Sequence, residues 1–160
     1  MAIEHRKGTL TMTGITSTTA FSPAKAALAG GRLRRWVDLV EVGAAASVGS
    51  TYTFARLPSD CTLSPLSTVR WDDVGTGGAT LDIGDGAHAD GLATDIAIDA
   101  AAGSSPLLEA KGIETFGQPL WQMLGHAADP GGTIDLVATL ATAAASAGGT
   151  LVFDVYYTVD

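Results

Sequence analysis

Short runs in which hydrophobic and polar residues alternate are the main pattern along this chain. The first is RLRRWVDLVEV at residues 32–42, and comparable runs lie at 51–57, 134–140 and 150–159. Successive side chains of a β-strand point to opposite faces, so a period of two residues is that of a strand. We therefore predict strands at all four runs.

The run at residues 32–42 is apolar on both of its faces. Trp36, Val40 and Val42 share one face, whereas Val37 and Leu39 share the other. A strand with two mostly apolar faces is covered on both sides or lies at an interface. We therefore expect both faces of this strand to be covered, either by other parts of the chain or by a partner at an interface.

The stretch Ser50–Gly86 reads as three further strands in sequence, which we predict to form one β-layer. Pro58 removes a backbone donor and ends the first of these strands. The second runs to Trp71, and Pro65 within it indicates an edge position or a bulge. The Asp- and Gly-rich segment at 72–78 predicts the turn that precedes the third strand.

The remainder of the chain is less regular but adds further strands. LATDIAIDA alternates and predicts a strand, whereas SSPLLEAKGI fits a short helix capped at Ser105. Seven or eight short strands separated by Gly, Asp and Pro loops predict an all-β chain, an antiparallel β-sandwich or jelly-roll-like single domain over residues 32–160. Residues 1–31 show no sustained period and are predicted to form an extended N-terminal arm.

Charge is distributed unevenly between the two ends of the chain. Only Glu4 is acidic within residues 1–36, whereas residues 37–160 carry three basic residues and 16 acidic ones. One interpretation is chance together with a solvated acidic face. The other is that the basic segment lies on an acidic surface of a neighbouring subunit or another protein. Under the second interpretation the partner-binding candidates are Arg6, Lys7, Lys25, Arg32, Arg34 and Arg35.

Two partner classes are not expected from the sequence. The acidic body would repel phosphate, which argues against nucleic acid as a partner. No run of about 18 apolar residues exists, so we predict no membrane-spanning helix.

The residues that could carry chemistry are few and scattered along the chain. Cys61 is the single cysteine, cannot form an internal disulfide and is predicted to be buried in the core. His5, His88 and His126 lie far apart without a local partner at metal-ligand spacing. We therefore predict that these histidines are surface or core groups rather than a metal site.

The carboxylates and tryptophans also favour a structural interpretation. The Asp-Gly segments only faintly resemble calcium loops, because neither has the D-x-D-x-D-G spacing with a distal Glu. Trp36 and Trp71 occupy predicted core positions, while Trp121 leaves a sugar-stacking platform open as an alternative. No cofactor, metal or catalytic set of residues is predicted, and the chain is expected not to be an enzyme. The carboxylates of the Asp-Gly segments are Asp72, Asp73, Asp82, Asp85 and Asp90.

The order of strands and turns from Gly31 to Gly86 carries a family resemblance. The segments are a GG pair before the first strand, a small-residue loop ending in Gly-Ser, and then TFARLPSDCTL, STVRWDD and TLDIGD. This order resembles that of small virion structural proteins of tailed bacteriophages, of the head-decoration or capsid cement type.

The resemblance implies a non-enzymatic role on the virion. Such proteins are commonly trimers of β-rich subunits that bind the capsid surface, bridge major capsid proteins and are assembled in the host cytoplasm. It thus implies two partners, the major capsid protein and further copies of this chain, and no cofactor. Two alternatives stay open: a tail or head-fibre component, and a carbohydrate-binding β-sandwich module.

Overall fold

The structure is a computed structural model that describes residues 32–75, 77–99 and 101–159. Nine strands and one short α-helix lie within these ranges, together with a 3₁₀ turn at Ile113–Thr115. The elements are β1 (Arg32–Val42), β2 (Thr51–Pro58), β3 (Thr62–Leu63), β4 (Thr68–Trp71), β5 (Thr80–Gly84), β6 (Ala93–Ala97), β7 (Gly103–Pro106), α1 (Leu120–Leu124), β8 (Thr133–Ala141) and β9 (Gly149–Val159).

The strands form two antiparallel sheets with a nested pairing. The first sheet has the order β1-β9-β4-β7, with β3 also paired to β9, and the second has the order β2-β8-β5-β6. β1 pairs with β9, β2 with β8, β4 with β7 and β5 with β6. The pairs run inward from the two ends of the chain and are divided between the two sheets. This is the topology of a jelly roll. The predicted all-β sandwich is therefore confirmed.

The hydrophobic core fills the space between the two sheets. Along β8 and β9 the alternate apolar residues are buried, as their period of two predicts. The rings of Phe54 on β2 and Phe153 on β9 stack with centroids 3.9 Å apart, which joins the sheets at the centre of the core.

The stretch Ser50–Gly86 does not form a single layer as predicted. β2 and β5 belong to the second sheet, whereas β3 and β4 belong to the first. The chain crosses between the sheets after β2 and again after β4. Alternation along a strand specifies that one face is buried, but it does not specify against which sheet, so the sequence pattern could not distinguish the two arrangements.

The connection between β7 and β8 differs from the sequence prediction. Residues 103–106 pair with β4 as a strand, so the predicted helix capped at Ser105 is wrong. The helix instead lies later, at α1, where Leu120, Met123 and Leu124 are buried. The backbone N–H of Leu120 donates to Cys61 O at 2.7 Å, which fixes α1 against the β2–β3 loop.

The predicted arm at residues 1–31 lies outside the described residues. Within the described ranges, no helix is long and apolar enough to cross a membrane.

Candidate functional site

β1 is an edge strand that leaves hydrophobic side chains in solvent. It lies at the end of the first sheet, and only β9 pairs with it among the described strands. Leu33, Val37 and Leu39 are 61%, 52% and 58% exposed. They share the β1 face opposite to that of Val42, which is buried, so they point away from the core. We call these three residues the β1 stripe.

The register with β9 extends the β1 stripe across the sheet. Leu39 lies opposite Val152 and Val37 lies opposite Asp154. Directly opposed residues of an antiparallel pair share a face, so Val152 adds apolar surface beside the stripe. Long exposed edge strands with apolar side chains are surfaces on which another chain can pair or pack. The stripe is therefore the candidate protein-binding surface.

An ion pair lies within this surface. The guanidinium of Arg35 donates to both carboxylate oxygens of Asp154, each at 2.7 Å, and stands 5.5 Å from the ring centroid of Tyr156. The hydrogen bonds and charge of Arg35 lower the pKa of Asp154. Two fixed donors bound to two acceptors hold Arg35 across β1 and β9, so its charge is largely satisfied within the chain.

The six basic candidates from the sequence fall into two groups. Arg32 and Arg34 lie exposed at the start of β1, and Arg35 is exposed but paired with Asp154. The other three candidates, Arg6, Lys7 and Lys25, lie outside the described residues. Among the described residues, Arg32 and Arg34 form no ion pair, and they lie on the face of β1 opposite to the β1 stripe.

The prediction that Trp36 is a core residue is wrong. Its side chain is 40% exposed, and its indole N–H donates to Phe54 O at 2.8 Å, so it bridges the adjacent edges of the two sheets. A shallow depression of about 290 Å³ lies beside it and is also lined by Arg56 and Asp135. Arg56 pairs with Asp135, which satisfies both charges.

Trp71 and Trp121 are half-buried and pack against the core. The indole N–H of Trp71 donates to Ala101 O at 3.0 Å. Trp121 lies in α1, and its backbone N–H donates to Ser59 O at 3.1 Å. A sugar-binding platform needs an open aromatic face, and the packing of Trp121 against the core does not favour one.

Cys61 is buried, as predicted. Its side chain lies among hydrophobic residues between β2 and β3. Burial, together with the nearby negative charge of Asp60, raises the pKa of the thiol to about 12. Cys61 is therefore a core residue and a poor nucleophile.

The histidines are not all scattered as the sequence suggested. His88 and His126 lie with their ring centroids 4.6 Å apart, and both approach Asp85. Sequence reasoning missed this cluster because its members come from two different connections. The Asp-x-x-His spacing of Asp85 and His88 was the one local signal, and His5 lies outside the described residues.

Comparison with known proteins gives a likeness of fold. No protein-family model matches the chain, and no curated protein matches it. Among solved structures, it is similar to a chain of the "Cyanophage Pam1 capsid asymmetric unit", with a TM-score of 0.61 and 20% sequence identity. The match covers 93% of this chain and 100% of that chain. A match of this extent shows that the two chains share a fold.

Proposed function

We propose that this chain is a structural component of a phage capsid, of the decoration or cement type. It binds the outer shell, bridges major capsid proteins and has no enzymatic role. The observation that carries the proposal is the match to a chain of a cyanophage capsid asymmetric unit, which covers that chain in full. The strand and turn order of residues 31–86 supports the same class of protein independently.

The β1 stripe is the surface that we assign to shell binding. Leu33, Val37 and Leu39 are each more than half exposed, which costs free energy in a free subunit and favours burial against a partner. A position on a symmetric shell repeats each such contact many times, so a modest contact per subunit gives a large total. The basic residues Arg32 and Arg34 lie on the other face of β1, where they suit an acidic partner surface that reaches around this edge strand.

The assembly state in this proposal is a trimer on the shell surface. The resemblance to cement proteins supports it, and the acidic body of the chain gives a reason for basic residues at contacts between copies. Light-scattering mass measurement on the purified chain tests the trimer directly. A chain that is monomeric in solution and trimeric only on shells agrees with the shell role. An oligomer on shells with a number of subunits other than three contradicts the trimer.

The deciding experiment measures occupancy on empty shells assembled from the major capsid protein of the same virion. We expect the chain to cosediment with these shells and to raise their melting temperature. Leu39→Glu places a charge in the β1 stripe and is expected to reduce occupancy at least tenfold, because a buried unpaired charge is costly. The variant should fold normally, since Leu39 is 58% exposed.

Leu66→Glu is the matched control, because Leu66 is 69% exposed in the β3–β4 turn, and β9 lies between β1 and both of these strands. It should retain full occupancy. The assignment of the β1 stripe fails if both variants bind equally well. The capsid role itself fails if the unaltered chain does not bind shells, and particle images with density only on tails or fibres would indicate the tail alternative.

A further inference from the structure

Three side chains capable of binding a metal meet at one end of the sandwich. Asp85 and His88 lie in the connection between β5 and β6, while His126 follows α1 in the connection between β7 and β8. Gly125 ends α1 with a φ of 98°, a conformation that favours glycine, and so turns His126 toward the other two. The fold thus brings together residues that are distant in sequence.

The ligand atoms of this cluster converge around Asp85. His126 Nε2 lies 2.7 Å from Asp85 Oδ2, and His88 Nδ1 lies 3.5 Å from Asp85 Oδ1. All three ligand atoms lie within 4.8 Å of one another. Asp85 is only 8% exposed, and its Oδ1 accepts from the N–H groups of Ala87 and His88, which fixes the carboxylate in place.

One atom of the cluster has its bonding capacity unused. His88 Nδ1 is buried and has no hydrogen-bond partner among the described residues. A buried imidazole nitrogen without a partner is unfavourable, because it has lost water without gaining a replacement. If the ring proton is on Nε2, Nδ1 has a free lone pair 3.5 Å from Asp85 Oδ1, and a cation bound between them would satisfy it.

We propose that Asp85, His88 and His126 bind a divalent transition metal ion of the zinc type. The ligands are Asp85 through its carboxylate, His88 through Nδ1 and His126 through Nε2, with water completing the coordination. His126 then carries its proton on Nδ1, so binding replaces its hydrogen bond to Asp85. Two imidazoles and one carboxylate suit zinc, whereas calcium and magnesium prefer sites made of oxygen atoms.

The ligand atoms lie within 4.8 Å of one another, so they must shift by up to about 1.5 Å to reach the spacing of a tetrahedral site. Bonds of about 2.0–2.2 Å in a tetrahedral site place ligand atoms roughly 3.3 Å apart. The separation of 3.5 Å between His88 Nδ1 and Asp85 Oδ1 already fits, and that between His126 Nε2 and Asp85 Oδ2 must widen from 2.7 Å. A bound ion would link the β5–β6 connection to the end of α1, which stabilises that end of the sandwich.

The test uses the full chain without an affinity tag, stripped with chelator and titrated with zinc chloride. We expect saturable binding with one ion per chain. At zinc a hundredfold above the dissociation constant, the melting temperature should rise by roughly 5–10 °C. Magnesium chloride at the same concentration should give no comparable rise, and an equal response to both salts would overturn the proposal.

Two ligand variants and one control connect the binding to these residues. His126→Gln retains a donor near the position of Nε2 and His88→Ala removes the unpartnered nitrogen, so each should weaken zinc binding more than tenfold. His5→Ala removes the third histidine of the chain and should leave binding unchanged. The proposal fails if His126→Gln and His88→Ala bind zinc as tightly as the unaltered chain.

A spectroscopic measurement on the unaltered chain keeps the test valid if a variant does not fold. Nitrogen-detected NMR of the histidine rings should show two of the three rings shifting on zinc addition, one bound through Nδ1 and the other through Nε2. Histidine signals that do not change in saturating zinc would overturn the proposal. This site is separate from the β1 stripe, so failure of zinc binding leaves the capsid role intact, and the reverse also holds.

Discussion

The thiol of Cys61 illustrates how burial, aided by the nearby charge of Asp60, determines the chemistry of a residue in this fold. With its pKa raised to about 12, only about one thiol in 10,000 is ionised at pH 8. We expect a maleimide to modify native Cys61 at least about 100-fold more slowly than the same chain unfolded in urea. Equal rates in the two states would contradict the buried position.

Asp85 is the residue for which we expect a clear dependence of stability on pH. Burial by itself would raise its pKa, but hydrogen bonds from His126 and from the backbone of His88 and Ala87 outweigh burial and lower it. A folded pKa below the unfolded value means that the unfolded state binds more protons. The contribution of Asp85 is therefore complete above about pH 4 and is lost as the pH falls through the folded pKa.

Comparing the native chain with Asp85→Asn, both in chelator, tests this expectation. The variant keeps an acceptor for Ala87 and His88 but has no charge, so its free energy of unfolding should be about 1 kcal/mol lower at pH 7. The difference should shrink below about pH 4. Asp73→Asn is the control, because Asp73 also accepts a turn N–H but is exposed. A constant gap from pH 2 to 7 would contradict the role of ionised Asp85.

At the scale of single residues, the sequence predicted burial better than it predicted proximity. The buried state of Cys61 follows from its local surroundings, because a small apolar side chain on the apolar face of an alternating run is favoured in the core. The meeting of His88 with His126 could not be predicted, since it depends on where the β5–β6 and β7–β8 connections lie in three dimensions. The predicted burial of Trp36 is wrong because its strand lies at an edge of the sheet, where the face toward the core is only partly covered.

At the scale of elements, the turn after β5 depends on the absence of one side chain. A Cβ on Gly84 would collide with the carbonyl oxygen of His88 and lie 2.8 Å from Ala89 O. Gly84→Ala is therefore expected to lower the free energy of unfolding by about 3 kcal/mol or more, because backbone atoms cannot rotate away. Urea denaturation of the purified variant measures this loss.

Gly86 provides the matched control in the same turn. No atom lies within 4 Å of the position where its Cβ would be, so Gly86→Ala should change stability by less than about 1 kcal/mol. Similar stabilities for the two variants would mean that the turn is not as tightly packed as the contacts of Gly84 indicate.

The accuracy of the predicted elements follows the length of their alternating pattern. β1 was predicted at residues 32–42 and is observed at Arg32–Val42, and the inward faces of β8 and β9 are also confirmed. A long alternating run allows only one pairing register, because a shift of one residue would expose the whole apolar face to solvent. α1 has only five residues, and its position depends on hydrogen bonds to Cys61 O and Ser59 O, which are tertiary contacts.

At the scale of the whole molecule, the described residues contain a hydrophobic core of their own. The largest fully buried side chains lie between Phe54 and Phe153, and the described residues belong to one compact unit, Gly31–Asp160. A chain lacking residues 1–30 is therefore expected to fold, with a cooperative transition within about 3 °C of the melting temperature of the full chain. Calorimetry on the two purified chains measures the difference, and loss of the transition would contradict a self-sufficient body.

The same deletion separates the two candidate binding regions of the proposed capsid protein. Residues 1–30 contain Arg6, Lys7 and Lys25 against Glu4, so the intact chain brings extra positive charge to an acidic surface. We expect the deletion to reduce shell occupancy about tenfold or more, and raised salt to reduce binding of the full chain toward that of the truncated chain. Unchanged occupancy after deletion would exclude the arm and leave the β1 stripe as the binding region, because Leu33, Val37 and Leu39 remain in the truncated chain.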